Sequence, residues 1–204
     1  MTRVTAYIDG FNLYHGLRAK HERRYLWLDL QALCESLLLE GQRLTAVRYF
    51  TAPLRRQPDR MARQQTYWNA LGAHATCLTI ELGRFQETMT MCRLCGGRTK
   101  SYEEKETDVA IAAALVEDAA DQAFDTALLV SADSDLCPAV RAIRRLHPAA
   151  KVVAAFPPAR RSDELRKVVD ASFTIAERKL RSARLPDHVQ DQVGHVFSRP
   201  KVWR

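Results

Sequence analysis

Residues 125–135 read DTALLVSADSD. The unbroken apolar run Ala127–Val130, bounded by acids, marks a strand over 125–133 that is covered on both faces. Such a strand needs helices above and below it. The flanks supply them: EEKETDVAIAAALVEDAAD, 103–121, is strongly helical, with Asp108, Ala112 and Leu115 on one face, and Leu136–Leu146 reads as a helix with Pro138 tolerated in its first turns. Beyond it KVVAAF, 151–156, is a second buried strand. PPARRSDELRKVVD is a loop and helix, and SFTI, 172–175, is a last short strand.

The N-terminal half repeats the alternation. Val4, Ala6 and Ile8 alternate with Arg3, Thr5 and Tyr7, giving a strand over 3–9 that ends on Asp9 before Gly10. Phe11–Lys20 carries Leu13 and Leu17 at helical spacing. A helix capped by Asp29 runs to Gly41, and LTAVRYFTA, 44–52, is a strand. Pro53 and Pro58 bracket a basic loop, a helix covers 59–70, and CLTIELGRF, 77–85, is a strand. Residues 87–101 follow neither period and are expected to form an exposed loop or knuckle. Strands alternating with helices define an α/β, three-layer sandwich with a mainly parallel central sheet. We expect one domain over 1–180, and a tail or edge extension over 181–204.

The 204 residues are 47% apolar and 27% charged, which excludes a disordered or collagen-like chain. No segment approaches the roughly 18 apolar residues of a membrane span, and the strand-like start leaves no room for a signal peptide. Five scattered cysteines make no disulfide framework. Together these point to a cytoplasmic protein. A net charge of +7 favours a polyanionic partner weakly, so the placement of the arginines must carry that argument.

In a parallel sheet, ligands collect beyond the carboxyl ends of the strands. Asp9 and Asp133 end strands there, Asp135 follows two residues later, and Asp108 begins a helix packed on the same sheet. Four carboxylates on one rim repel unless a cation offsets them, and a hard divalent ion such as Mg²⁺ takes such oxygen ligands. A dinucleotide fold is excluded by the lack of G-x-G-x-x-G after the first strand, and no P-loop is present. Phe11 stands where a haloacid phosphatase needs its second aspartate.

YIDGFNLYHGL (7–17), KETDVAIAAALVEDA (105–119) and LLVSADSDLCPAV (128–140) resemble the three motifs of the NYN domain, a PIN-like nuclease family, in particular its bacterial LabA-like branch. The resemblance spans about 3–176, and the tail, LPDHV through RPKVW, is similar to the family's C-terminal stretch. It implies a PIN-like fold and an acidic, Mg²⁺- or Mn²⁺-dependent site for RNA cleavage. Asp9, Asp108, Asp133 and Asp135 match the acidic cluster, Asn12 the asparagine of the D-x-x-N opening, and Ser131 the hydroxyl position of S-x-D-S-D.

On that reading Asp9, Asp108 and Asp133 hold the metal, Asp135 orients water or binds a second ion, and Asn12 bonds water or phosphate. Asn12 as a plain turn residue is the alternative. Lys105, one turn before Asp108, is either a further phosphate contact or a solvated lysine at the helix start. Arg55, Arg56, Arg160 and Arg161, in loops after strands, are candidate contacts for single-stranded RNA. Phe11 and Tyr14 either stack a base or pack in the core. Cys92 and Cys95 are either half of a zinc site, which His74, Cys77 or a second copy in a homodimer would complete, or a reduced pair in a loop. Cys34 and Cys137 read as buried apolar residues. A non-catalytic RNA-binding protein and a DNA nuclease are the competing functions.

Overall fold

A computed structural model of the chain describes residues 1–91 and 97–203. The chain opens with β1 (Thr2–Asp9), α1 (Gly10–His21), α2 (Leu30–Leu37), β2 (Gln42–Thr51), α3 (Pro58–His74) and β3 (Leu78–Leu82). There follow β4 (Arg84–Met91), β5 (Arg98–Lys105), α4 (Thr107–Ala120), β6 (Thr126–Val130), a 3-10 turn (Ser134–Leu136) and α5 (Cys137–Leu146). The last elements are β7 (Lys151–Phe156), α6 (Asp163–Val168), β8 (Ala171–Thr174), α7 (Glu177–Ser182), β9 (His188–Gln190), β10 (Val196–Ser198) and a closing turn (Lys201–Trp203).

Six strands form one sheet in the order β3-β2-β1-β6-β7-β8, and every pairing is parallel. Alternation in β1 divides the core. Val4, Ala6 and Ile8 pack with Leu13, Leu17, Leu33, Tyr67 and Leu71 of α1–α3, whereas Tyr7 packs with Ile111, Leu115, Val140 and Ile143 of α4 and α5. All five residues of β6 are buried, as its apolar run requires. The α/β sandwich with helices on both faces is thus the observed architecture.

The sheet order reverses between β1 and β6. Chain connections run outward through β2 and β3 on one side and through β7 and β8 on the other, so the crevice opens at the carboxyl ends of this central pair. Asp9 and the Ser131–Asp133 segment leave the sheet there.

Several boundaries differ from expectation. Residues 84–91 and 98–105 pair as an antiparallel hairpin, β4 with β5, where a loop or knuckle is expected over 87–101. The strand predicted over 77–85 divides at Gly83, its first half joining the main sheet and Arg84 starting the hairpin. Glu103–Lys105 belong to β5, so α4 starts at Thr107, after Glu106 turns the chain at a left-handed φ of 78°. Lys105 therefore closes a strand rather than preceding Asp108 on a helix. Helix α2 stops at Leu37, short of Gly41.

Residues beyond 182 dock against α3 and the segment 25–28. Trp27 Nε1 donates to Pro186 O at 2.8 Å, and Trp203 meets the rings of Trp27 and Tyr67 at 6.3 and 6.0 Å. Helix α7 spans residue 180, and Leu185 and Val189 are buried in the α1–α3 core.

Candidate active site

Asp9 is the last residue of β1 and the N-cap of α1. Its Oδ1 accepts from the Asn12 backbone N–H at 2.9 Å, which ties the carboxylate to the first turn of the helix. The turn is tight: a Cβ on Gly10 would stand 2.6 Å from Phe50 O, so only glycine lets α1 leave the strand here. The second oxygen, Oδ2, accepts from Ser131 Oγ at 2.9 Å, and Ser131 Oγ in turn accepts from the Asp133 N–H at 3.0 Å. Ser131 is completely buried and Asp9 nearly so. Asn12 joins the same two loops, its Oδ1 accepting from the Ala132 N–H at 3.2 Å.

Asp108 enters from the opposite face, in the first turn of α4. A network further along that helix fixes its position. Tyr7 OH donates to Asp118 Oδ2 at 2.5 Å, and Arg48 bridges Asp118 at 2.9 Å and Glu81 at 2.5 Å. One end of α4 is thereby bonded to β1, β2 and β3, and its other end presents Asp108 to the crevice.

Asp9, Asp108 and Asp133 each offer a carboxylate oxygen, and the three atoms lie within 4.8 Å of one another. Among the described residues this is the one group of three acidic, His or Cys side chains so placed. Oxygens bound to one Mg²⁺ at 2.0–2.1 Å stand at most about 4.2 Å apart, so small side-chain rotations would close the trio on an ion. The trio could therefore hold a divalent metal. Its donors are hard oxygens, which suit Mg²⁺ or Mn²⁺ better than a softer or His-ligated centre.

Asp135 lies outside this trio. Its backbone N–H caps back onto Asp133 Oδ1 at 2.9 Å, and its exposed side chain lines a separate depression with Cys137, Arg141 and Glu164. Arg160 follows β7 on the same rim and lies close to α1: a Cβ on Gly16 would meet its Cγ at 3.1 Å. Arg161 is paired with Asp163 at 3.0 Å. Arg55 and Arg56 are exposed in the loop after β2.

Phe11 and Tyr14 line a cavity on the α1–α3 side, and Tyr14 also packs against the core. Burial, and to a lesser degree the Asp9 charge, hold the phenol of Tyr49, another lining residue, up at about 12. Desolvation, with Arg160 and Arg18 adding, lowers the pKa of His15.

The side chain of Lys105 and the pair Cys92 and Cys95 lie outside the described residues. Of the proposed zinc completions, His74 is bonded to Asp29 at 3.1 Å and Cys77 is half-buried near Cys34. Cys34 and Cys137 are buried, as their apolar settings predict. Sequence reasoning missed Arg48, Asp118 and the cavity. The first two signalled themselves only as charges inside otherwise apolar segments.

The fold and site define an α/β protein with an acidic trio at the switch point of a parallel sheet. The family model of the NYN domain matches residues 3–177, and the chain belongs to this PIN-like nuclease family. The chain is also 27% identical, over 176 residues, to 6-hydroxy-3-succinoylpyridine 3-monooxygenase of Pseudomonas putida. That match takes in 70% of this chain and 55% of the relative, so it spans about half the relative's length. A crystal structure of a protein of unknown function from Vibrio parahaemolyticus shares the fold, with a TM-score of 0.55 at 17% identity. It covers 86% of this chain and 94% of that one.

Proposed function

We propose that the protein is a metal-dependent ribonuclease acting on single-stranded RNA. The observation that carries this reading is the convergence of Asp9, Asp108 and Asp133, from both faces of the sheet, at the point where its strand order reverses. Asp9, Asp108 and Asp133 would hold the divalent ion, with Ser131 and the α1 cap fixing two of them. When bound, Mg²⁺ or Mn²⁺ supplies a water of lowered pKa and offsets charge on the phosphoryl oxygens. Asn12 spends its carbonyl on the Ala132 loop and keeps its amide nitrogen for a phosphate oxygen. Arg160, Arg55 and Arg56 supply positive charge along the rim for the flanking phosphates. Asp135 would act from outside the trio, on water or the leaving side. Three free cysteines, Cys34, Cys77 and Cys137, accord with action in the reducing cytoplasm. Among the described residues no helix is long and apolar enough to cross a membrane.

Incubation with end-labelled single-stranded RNA and DNA in Mn²⁺, Mg²⁺ or EDTA tests the reading. RNA should be cut with either metal, leaving 5′-phosphates, and neither EDTA samples nor Asp108→Asn should cut. Cleavage of DNA alone would assign a DNA nuclease. Binding without cleavage would assign a regulatory RNA-binding protein, and equal cleavage by Asp108→Asn would remove the site.

A further inference from the structure

On the α1–α3 side of the crevice lies a cavity of about 570 Å³, inside the roughly 300–1,000 Å³ range of small-molecule sites. Aromatic residues line it: Phe11, Tyr14 and Trp203 are partly exposed, while Tyr25, Tyr67 and Trp68 are buried in its wall. Two of these rings have spent their polar ends: Tyr25 OH donates to Glu177 at 2.7 Å and Tyr67 OH to Leu28 O at 2.8 Å. Gln64 is spent as well, bonded to the backbone of Ala52 and Leu54.

The charges around this lining are all of one sign. Arg18, Arg23, Arg60 and Arg63 line it, and no aspartate or glutamate does. Among the described residues none of the four has a carboxylate at ion-pair distance. Arg18 instead lies over the Tyr14 ring, 5.8 Å from its centroid. Four guanidinium groups around apolar rings repel one another, and an anion would relieve that repulsion. Gly10, Phe11 and Thr51 also line the cavity, and Gly10 is bonded in sequence to Asp9, so the cavity opens beside the carboxylate trio.

We propose that this cavity receives one nucleotide of the strand whose scissile phosphate lies at Asp9, Asp108 and Asp133, its base against the aromatic rings and its phosphate on Arg60 and Arg63. Flat rings accept any base by stacking, and guanidinium groups match phosphate geometry in a way lysine does not. The position of the strand relative to the carboxylates rests on the nuclease reading; occupancy by a nucleotide does not.

Two of the three tryptophans, Trp68 and Trp203, line the cavity, so intrinsic fluorescence reports on it directly. Metal-free protein in EDTA is titrated with adenosine 5′-monophosphate, with a tetra-adenylate RNA, and with ribose 5-phosphate. The monophosphate should give a saturable change, weakened at least tenfold in the Arg60→Ala, Arg63→Ala double variant. The tetranucleotide should bind at least tenfold tighter than the monophosphate, and ribose 5-phosphate at least tenfold weaker. Both arginines lie at the surface end of α3, and an unchanged melting temperature confirms that the variant folds. No saturable change up to millimolar nucleotide, equal affinity in the double variant, or ribose 5-phosphate binding as well as the nucleotide would each overturn the proposal. A tetranucleotide no tighter than the monophosphate would make this a free-nucleotide site and overturn the placement of the strand. Because the titration needs no metal and no turnover, saturable binding alongside an inactive protein would sink the nuclease reading alone.

Discussion

Ser131 Oγ donates to Asp9 Oδ2 at 2.9 Å while accepting the Asp133 N–H at 3.0 Å. One buried hydroxyl therefore sets the spacing of two of the three carboxylates that converge at the crevice. Ser131→Ala removes the hydroxyl that bonds Asp9 and leaves the backbone N–H of Asp133 short of its acceptor. That should cost about 1–3 kcal/mol of stability and weaken Mn²⁺ binding, because the ligand spacing is no longer fixed. Chemical denaturation and a Mn²⁺ titration by calorimetry check both, and unchanged affinity would mean that the backbone alone holds the trio.

The two loop arginines after β7 should separate experimentally. Arg161 is held by Asp163 at 3.0 Å, whereas no carboxylate among the described residues pairs with Arg160, which lies against α1 on the crevice rim. Arg160→Ala should flatten the slope of log RNA affinity against log salt by about one unit, and Arg161→Ala by clearly less. Filter binding at several salt concentrations measures it. Equal slopes in both variants would put the strand elsewhere.

These contrasts mark what the sequence disclosed. Strands β1 and β6 were legible because β-branched, aromatic and apolar residues run through both before a polar break, at Asp9-Gly10 after the one and at Ser131 after the other. The β4–β5 hairpin was not, since Glu87 interrupts the parity shared by Phe85, Met89 and Met91 in RFQETMTM, and RTKSYEEK carries Tyr102 as its one apolar or aromatic residue. Asp135, expected at the mouth of the next helix, stands in a 3-10 turn over 134–136 and lines the depression with Arg141 and Glu164, outside the trio. Nor could the cavity be read, because its lining runs from Gly10 to Trp203 and no local pattern joins them.

Acid sensitivity has an identifiable contributor away from the crevice. Arg3 donates to Asp125 through its backbone N–H at 2.6 Å and its guanidinium at 2.8 Å, and these bonds hold the Asp125 carboxyl below its ordinary pKa of 3.8. A carboxyl depressed in the fold contributes stability that is fully present above the unfolded pKa and is lost as pH falls through the folded one. Asp125→Asn should therefore lower the melting temperature at pH 7 and narrow its gap to the wild type below about pH 4. Thermal scans from pH 7 to pH 2.5 test this, and a gap constant with pH would mean the pair acts through packing alone.

Stability also separates a metal site from an incidental acidic rim. The carboxylates of Asp9, Asp108 and Asp133 offer oxygens within 4.8 Å of one another in the fold, and unfolding lets those charges move apart. Asp133→Asn removes one charge yet keeps an Oδ1 to accept the Asp135 N–H, the bond that caps the 3-10 turn at 2.9 Å. In EDTA the variant should therefore melt above the wild type. With Mn²⁺ the order should reverse, because an ion that binds only the folded protein stabilises it by RT ln(1 + [L]/Kd), about 2.7 kcal/mol at a hundredfold excess over Kd. The variant, short of one anionic ligand, should gain much less. Were Asp133 only a turn cap, asparagine would serve as well in either condition and the ion would shift both proteins alike. Parallel shifts in thermal scans with EDTA and with millimolar Mn²⁺ would thus remove the trio as a metal site, and crossed shifts would establish that the repulsion between these carboxylates is what the ion relieves.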